Sequence, residues 1–168
     1  MNGNYGGGSN SRPDYIRSFL KKPPLILKDF HQEDILEFLN MGKKREFYEG
    51  QAVSEASSYM KFSYLIVDGK IGIWKNNIQL VTYGSRTFLG ETFLFGKNFQ
   101  SVRLVSANKS TLLRFSRSAT LKFFRKKPEK LFNIFTRNII RTQQNKLGQL
   151  TTQMYRFKKR LLDNPPPR

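Results

Sequence analysis

Residues 83–107 read YGSRTFLGETFLFGKNFQSVRLVSA, and the rest of the chain is organised around them. The stretch opens on a small-residue turn, Gly84-Ser85. A second glycine, Gly90, directly precedes a single acid, Glu91, and a short apolar run from Thr92 to Phe95. A polar loop from Gly96 to Gln100 follows, then a strand-like alternation through Val102, Leu104 and Ser106. Glycine followed by glutamate at the start of a helical turn has defined chemistry. The first backbone N–H groups are unpaired and favour an anion, and the carboxylate beside them accepts from hydroxyls. A lone Gly-Glu also describes an ordinary turn with one solvated acid, so its surroundings decide.

Those surroundings are short strands separated by turns, from Arg45 to Phe115. Phe47-Tyr48 leads into a turn at Glu49-Gly50 and then Ala52-Val53. Tyr64–Val67 and Ile71–Trp74 flank Asp68-Gly69, a pair that adopts the positive-φ geometry of a tight hairpin. Asn76-Asn77 marks a second turn before Ile78–Tyr83. Strands of this length and spacing predict a sandwich or jelly roll. Trp74 and the many Phe residues sit at strand spacing, which favours core over a base-stacking platform.

The order of these motifs resembles the cyclic nucleotide-binding domain family over roughly Leu27 to Leu150. The segment from Tyr64 to Ile71 (YLIVDGKI) is similar to that family's "YLIxxGxV" motif. Leu89-Gly90-Glu91 is similar to the start of its phosphate-binding cassette, and Ala107 with Leu112–Phe115 to the next strand. Phe123 through Leu131 is similar to the entry of the helix that follows the β-roll. The resemblance implies a nucleotide site at Gly90, Glu91, Thr92, Ser101, Val102 and Arg103, with cyclic AMP or cyclic GMP as ligand. It also implies a capping role for the last helix, with Gln144 and Asn145 near the adenine.

One position departs from the family pattern. The cassette arginine that pairs with the cyclic phosphate falls, in register with Ala107 and the Leu113 strand, on Ser101. A guanidinium gives a charge-assisted, often bidentate contact worth about 1.5–3 kcal/mol. Its loss corresponds to about ten- to a hundredfold in affinity. Two residues on, Arg103 shares strand parity with Ser101 and offers a substitute if it turns inward. A degenerate site and a working sensor built on Glu91 and Arg103 both remain open at this stage. So does whether Phe93, Phe95 or Phe99 fills the pocket. Without ligand, Arg86 and Arg103 are the partners expected for Glu91.

Upstream, residues 1–13 are rich in Gly, Asn and Ser and read as a flexible tail. Asp14 is placed to cap a short helix running to Lys21-Lys22, which Pro23-Pro24 ends. Leu25–Leu27 reads as extended. A second helix is expected over 32–39, stopped by Gly42, with Lys43-Lys44-Arg45 exposed. The sole histidine, His31, is read as a helix-entry residue. Without cysteine, disulfides, thiol catalysis and Cys-based metal sites are excluded. No Ser/His/Asp set, Walker loop or paired carboxylates occur, so a non-enzyme is expected. No apolar run approaches a membrane span and no secretory signal opens the chain, which points to an intracellular, cytoplasmic protein.

The last third carries its own pattern. A short helix is expected over 118–125, broken at Pro128, and a long one from Glu129 to about Leu162, where Pro165–Pro167 end it. Ile140, Leu147, Met154 and Leu161 repeat every seven residues; Gln143, Leu150 and Phe157 form the second seam. That spacing predicts either a helix packed on its own domain or a coiled-coil interface made by Ile140, Leu147, Leu150, Met154, Phe157 and Leu161. Residues 92–168 carry 18 basic and 2 acidic side chains, against 12 and 10 in residues 1–91. Such asymmetry predicts attraction to a polyanionic surface, an acidic protein or nucleic acid. Lys146, Lys158 and Arg160 beside the seam lack acidic partners. They disfavour a tight parallel homodimer, which an acidic partner helix would relieve.

The expected fold is therefore mainly β with flanking helices: a double-stranded β-helix, or jelly roll, over 14–128, a long helix over 129–162 and a Pro-rich tail over 163–168. The expected function is a regulatory or assembly subunit that binds a protein partner, or a second copy, through the long helix. Its nucleotide site is weakened or lost; a cyclic-nucleotide sensor and a nucleic-acid-associated basic protein are the alternatives.

Overall fold

The computed structural model describes residues 13–56, 58–59, 61–95 and 99–163. Apart from Pro13 and Asp163, the expected tails fall outside these residues. Two helices lead in. The first, α1 (Asp14–Lys21), has Pro13 rather than Asp14 at its N-cap, and the Asp14 carboxylate pairs with Arg17 at 2.6 Å instead. Leu25–Leu27 forms one 3-10 turn rather than an extended segment, with Ile26 and Leu27 fully buried. His31 stands at the N-cap position of α2 (Gln32–Met41) without a side-chain capping bond, and Gly42 ends the helix.

Strands follow in order: β1 (Lys43–Phe47), β2 (Ala52–Ser54), β3 (Ser58–Tyr59), β4 (Phe62–Asp68), β5 (Lys70–Lys75), β6 (Ile78–Gly84) and β7 (Phe88–Leu89). A 3-10 turn, Glu91–Phe95, leads to β8 (Phe99–Gln100), β9 (Arg103–Ser106) and β10 (Ser110–Ser116). Two four-stranded antiparallel sheets, β1-β10-β4-β7 and β2-β9-β5-β6, form the roll, with β3 and β8 paired as a ribbon. Asn76 and Asn77 both take positive φ and close a hairpin between β5 and β6, as their sequence predicts. Asp68-Gly69 does not close one. β4 pairs with β10 and β7, whereas β5 pairs with β6 and β9, so this turn is the corner where the chain passes from one sheet to the other. Gly69 has φ +89, and an added Cβ would lie 2.7 Å from the Lys109 carbonyl oxygen.

Side-chain alternation along β4 serves two cores at once. Tyr64 and Ile66 point into the roll, where Ile71, Val81, Tyr83, Leu89, Leu104 and Leu112 meet them. Leu65 points the other way, into a larger cluster under the helices. That second core is phenylalanine-rich: Phe38 and Phe135 lie 5.6 Å apart by ring centroids, and Phe124 packs 4.7 Å from Phe135. Phe usage in this sequence is thus structural at these positions.

After α3 (Arg117–Arg125), capped by Ser116 accepting from the Ala119 N–H, the chain enters α4 (Glu129–Asp163). Leu131, Phe135, Asn138, Ile139 and Thr142 are buried on one face of its first half. Asn138 donates to the Lys28 carbonyl at 2.6 Å, tying the helix to the turn before α2. Beyond Leu150 every described residue is exposed. With 35 residues the helix is about 50 Å long by its rise, and the roll covers only the first part.

Candidate functional site

Gly90 has φ +77, a left-handed conformation that glycine adopts without strain. It turns the chain after β7 so that Glu91 opens the 3-10 turn, as the Gly-Glu pair implies. Thr92 follows, exposed. Glu91 is 2% exposed, and its carboxylate is engaged from the far end of the chain. The Lys146 ammonium of α4 donates to Glu91 Oε1 at 2.6 Å and to the Phe88 carbonyl at 2.7 Å. It also sits 5.4 Å from the Tyr83 ring centroid. An ammonium has three protons to place, and this pocket supplies two oxygens and an aromatic face.

Burial holds the Lys146 pKa below its ordinary 10.5, with the Glu91 charge and hydrogen bond acting in the opposite direction. Burial raises the Tyr83 phenol, and the nearby Glu91 charge adds to that. The Glu91 carboxylate is therefore already half of an internal ion pair.

Neither cation expected beside Glu91 is its partner. Arg103 projects outward and pairs with Glu55 at 3.1 Å. Its strand explains this, because Leu104 and Ser106 of β9 face the interior and Arg103, on the opposite parity, faces solvent. Ser101 is exposed on the approach to β9, and Val102 beside it is half-buried. Arg86, at φ +70, donates to the Lys22 carbonyl and to Ser18 Oγ, bracing the turn before β7 against α1. The side chains of Phe93, Phe95 and Phe99, the expected pocket fillers, lie outside the described residues.

Sequence reasoning placed Lys146 beside the seam and missed its role. A signal existed. Thr142, Lys146 and Leu150 stand four residues apart, in line with buried Asn138, so Lys146 falls on the domain-facing stripe. Gln144 and Asn145 are exposed and border an open polar groove with Val81, Thr82 and Gln149. Of the expected interface residues, Ile140, Leu147, Met154, Phe157 and Leu161 are exposed, whereas Leu150 is half-buried against the core of the roll.

No protein-family model and no curated protein matches the sequence. Solved structures do match in fold. A cyclic nucleotide-binding domain from Methylobacillus flagellatus KT aligns with 84% of this chain and 83% of its own, at 15% identity and a TM-score of 0.73. The Thermus thermophilus catabolite activator protein aligns at 16% identity and a TM-score of 0.65, over 80% of this chain. There the chain spans only 63% of the longer protein. The cAMP-bound PfPKA-R structure aligns at 16% identity and a TM-score of 0.62, covering 80% of this chain and 48% of that one. The two antiparallel four-stranded sheets and the long C-terminal helix are what these alignments span. This chain has the fold of a cyclic nucleotide-binding domain.

Proposed function

We propose that the chain is a non-enzymatic regulatory or assembly module in which the nucleotide site is weakened or lost because the protein occupies it itself. The observation that carries this is the Lys146–Glu91 pair at 2.6 Å. A cyclic nucleotide seeking Glu91 for its ribose must first displace Lys146 and break a charge-assisted hydrogen bond in a buried setting. It gains no guanidinium for its phosphate in return, because Ser101 stands at that register and Arg103 is held by Glu55. Both terms act against binding. The module's output then passes through α4, whose exposed Leu147 seam supports association with a partner protein or a second copy.

Calorimetry with cyclic AMP, cyclic GMP and cyclic dinucleotides tests this. Wild type should bind about tenfold or more weakly than Ser101→Arg. Tight binding by wild type that Arg103→Ala removes would support the second reading, a sensor using Glu91 and Arg103. That reading draws on the cyclic AMP bound by the structurally similar PfPKA-R.

A further inference from the structure

We infer that the outward face of α4 docks an acidic amphipathic helix of another protein; this rests on the reading of α4 as an association surface and names the partner's chemistry. Adjacent residues of the helix divide its work. Lys146 points into the domain at Glu91, and Leu147, one residue on, points to solvent. Ile140, Leu147, Met154 and Leu161 share the outward side and are 47–72% exposed, as is Phe157 at 65%. A seven-residue apolar repeat left open over three heptads is the geometry that a second helix fills.

Charge selects the occupant. Counting from Ile140 as the first core position, the residues flanking the seam are Lys146, Gln153 and Arg160 on one side and Gln144, Thr151 and Lys158 on the other. Arg156 and Lys159 add two more cations to the exposed end, and Asp163 is the sole acid from Lys130 onward in the helix. A parallel second copy would set Gln153 against Lys158 and lay the two basic ends side by side. An antiparallel copy would bring that end against Arg137 and Arg141. The parallel arrangement leaves Lys158 and Arg160 without a facing acid, the antiparallel one offers only Asp29, already paired with Arg137 and Arg141, and like charges across such seams are repulsive. Glutamates at the flanking positions of a foreign helix would meet Lys158 and Arg160, while Lys146 stays with Glu91. An anionic lipid surface fits less well, because Lys158 interrupts the apolar face between Leu161 and Leu162, where a lipid-facing helix needs a broad unbroken one.

The test uses the full chain with a synthetic peptide of about three heptads carrying Leu at the core positions and Glu at the flanks. The same peptide with Gln at the flanks is the control, and vesicles of phosphatidylserine are a third arm. The chain alone should sediment as a monomer and bind the Glu peptide saturably, about tenfold or more tightly than the Gln peptide. Added salt should weaken that binding. Leu147→Asp with Met154→Asp should abolish it without moving the melting transition, since both side chains are exposed. Lys158→Glu with Arg160→Glu should remove the preference for Glu over Gln. A chain that dimerises through this seam would overturn the acidic-partner assignment and leave the association reading standing. Binding to vesicles but not to the peptide would also overturn it. A monomer that binds neither peptide would overturn both.

Discussion

Glu91 and Lys146 are 55 positions apart in sequence and 2.6 Å apart in space, and their pairing governs what either can do. Removing one member of a buried pair strands the other. Lys146 keeps 15% of its side-chain surface, so Lys146→Met should cost about 3 kcal/mol, the low end of the range for breaking such pairs. Glu91→Met in the same background should recover most of it, because two apolar groups leave no orphaned charge. Urea unfolding of the two single variants and the double measures this directly.

The pH dependence has a definite sign. Lys146 loses its proton in the folded state below 10.5, where the unfolded chain still holds it. Through that window Lys146 makes stability climb with rising pH, and Lys146→Met should flatten the climb. Tyr83 acts in the opposite sense. Its raised phenol contributes stability that is present below 10.0 and lost as pH rises above it. At this scale the sequence showed Glu91 clearly, because Gly-Glu is a local signal. Its partner was hidden, since only the packing of α4 on the roll brings Lys146 to it. Arg103 was weighed as a substitute on strand parity with Ser101, but β9 begins only at Arg103, which faces solvent.

At the scale of elements, local turn chemistry announced that a turn occurs without saying what it joins. Asn76-Asn77 closes a hairpin as its residues demand. Asp68-Gly69 has equal turn character yet joins two sheets, because the hydrogen-bonding partners of β4 and β5 are strands distant in sequence. Gly69→Ala should destabilise by about 1–3 kcal/mol through its positive φ and the close Lys109 carbonyl, read as a lowered midpoint in thermal or urea unfolding. Leu25–Leu27 shows the same limit: an apolar tripeptide after Pro23-Pro24 reads as extended, and its burial beneath α4 draws it into a helical turn instead.

The α4 periodicity served two masters that a heptad count alone does not separate. Buried Leu131, Phe135, Ile139 and Thr142 lie on the domain face, and Ile140, Leu147, Met154 and Leu161 lie outward. Leu150, on the second seam, packs partly against the core of the roll. Leu150→Asp should therefore lower the stability of the roll, whereas Leu147→Asp should leave it within about 0.5 kcal/mol of wild type. Denaturation monitored by circular dichroism distinguishes the two.

Across the whole molecule, order and spacing of motifs carried the fold. Two sheets and a terminal helix follow from strand periodicity, turn residues and one resemblance, and solved structures at 15–16% identity share that fold. No described helix is long and apolar enough to cross a membrane. The site was legible only in part, because what closes it is the docking of the last helix on the first half of the chain. A calorimetric cycle for cyclic AMP on wild type, Ser101→Arg, Lys146→Gln and the double variant measures what that docking does to the site. Wild type should bind weakly or below detection, Ser101→Arg should bind more tightly, and adding Lys146→Gln, which frees Glu91, should tighten binding further. Tight binding by wild type, unchanged by Lys146→Gln, would contradict this expectation.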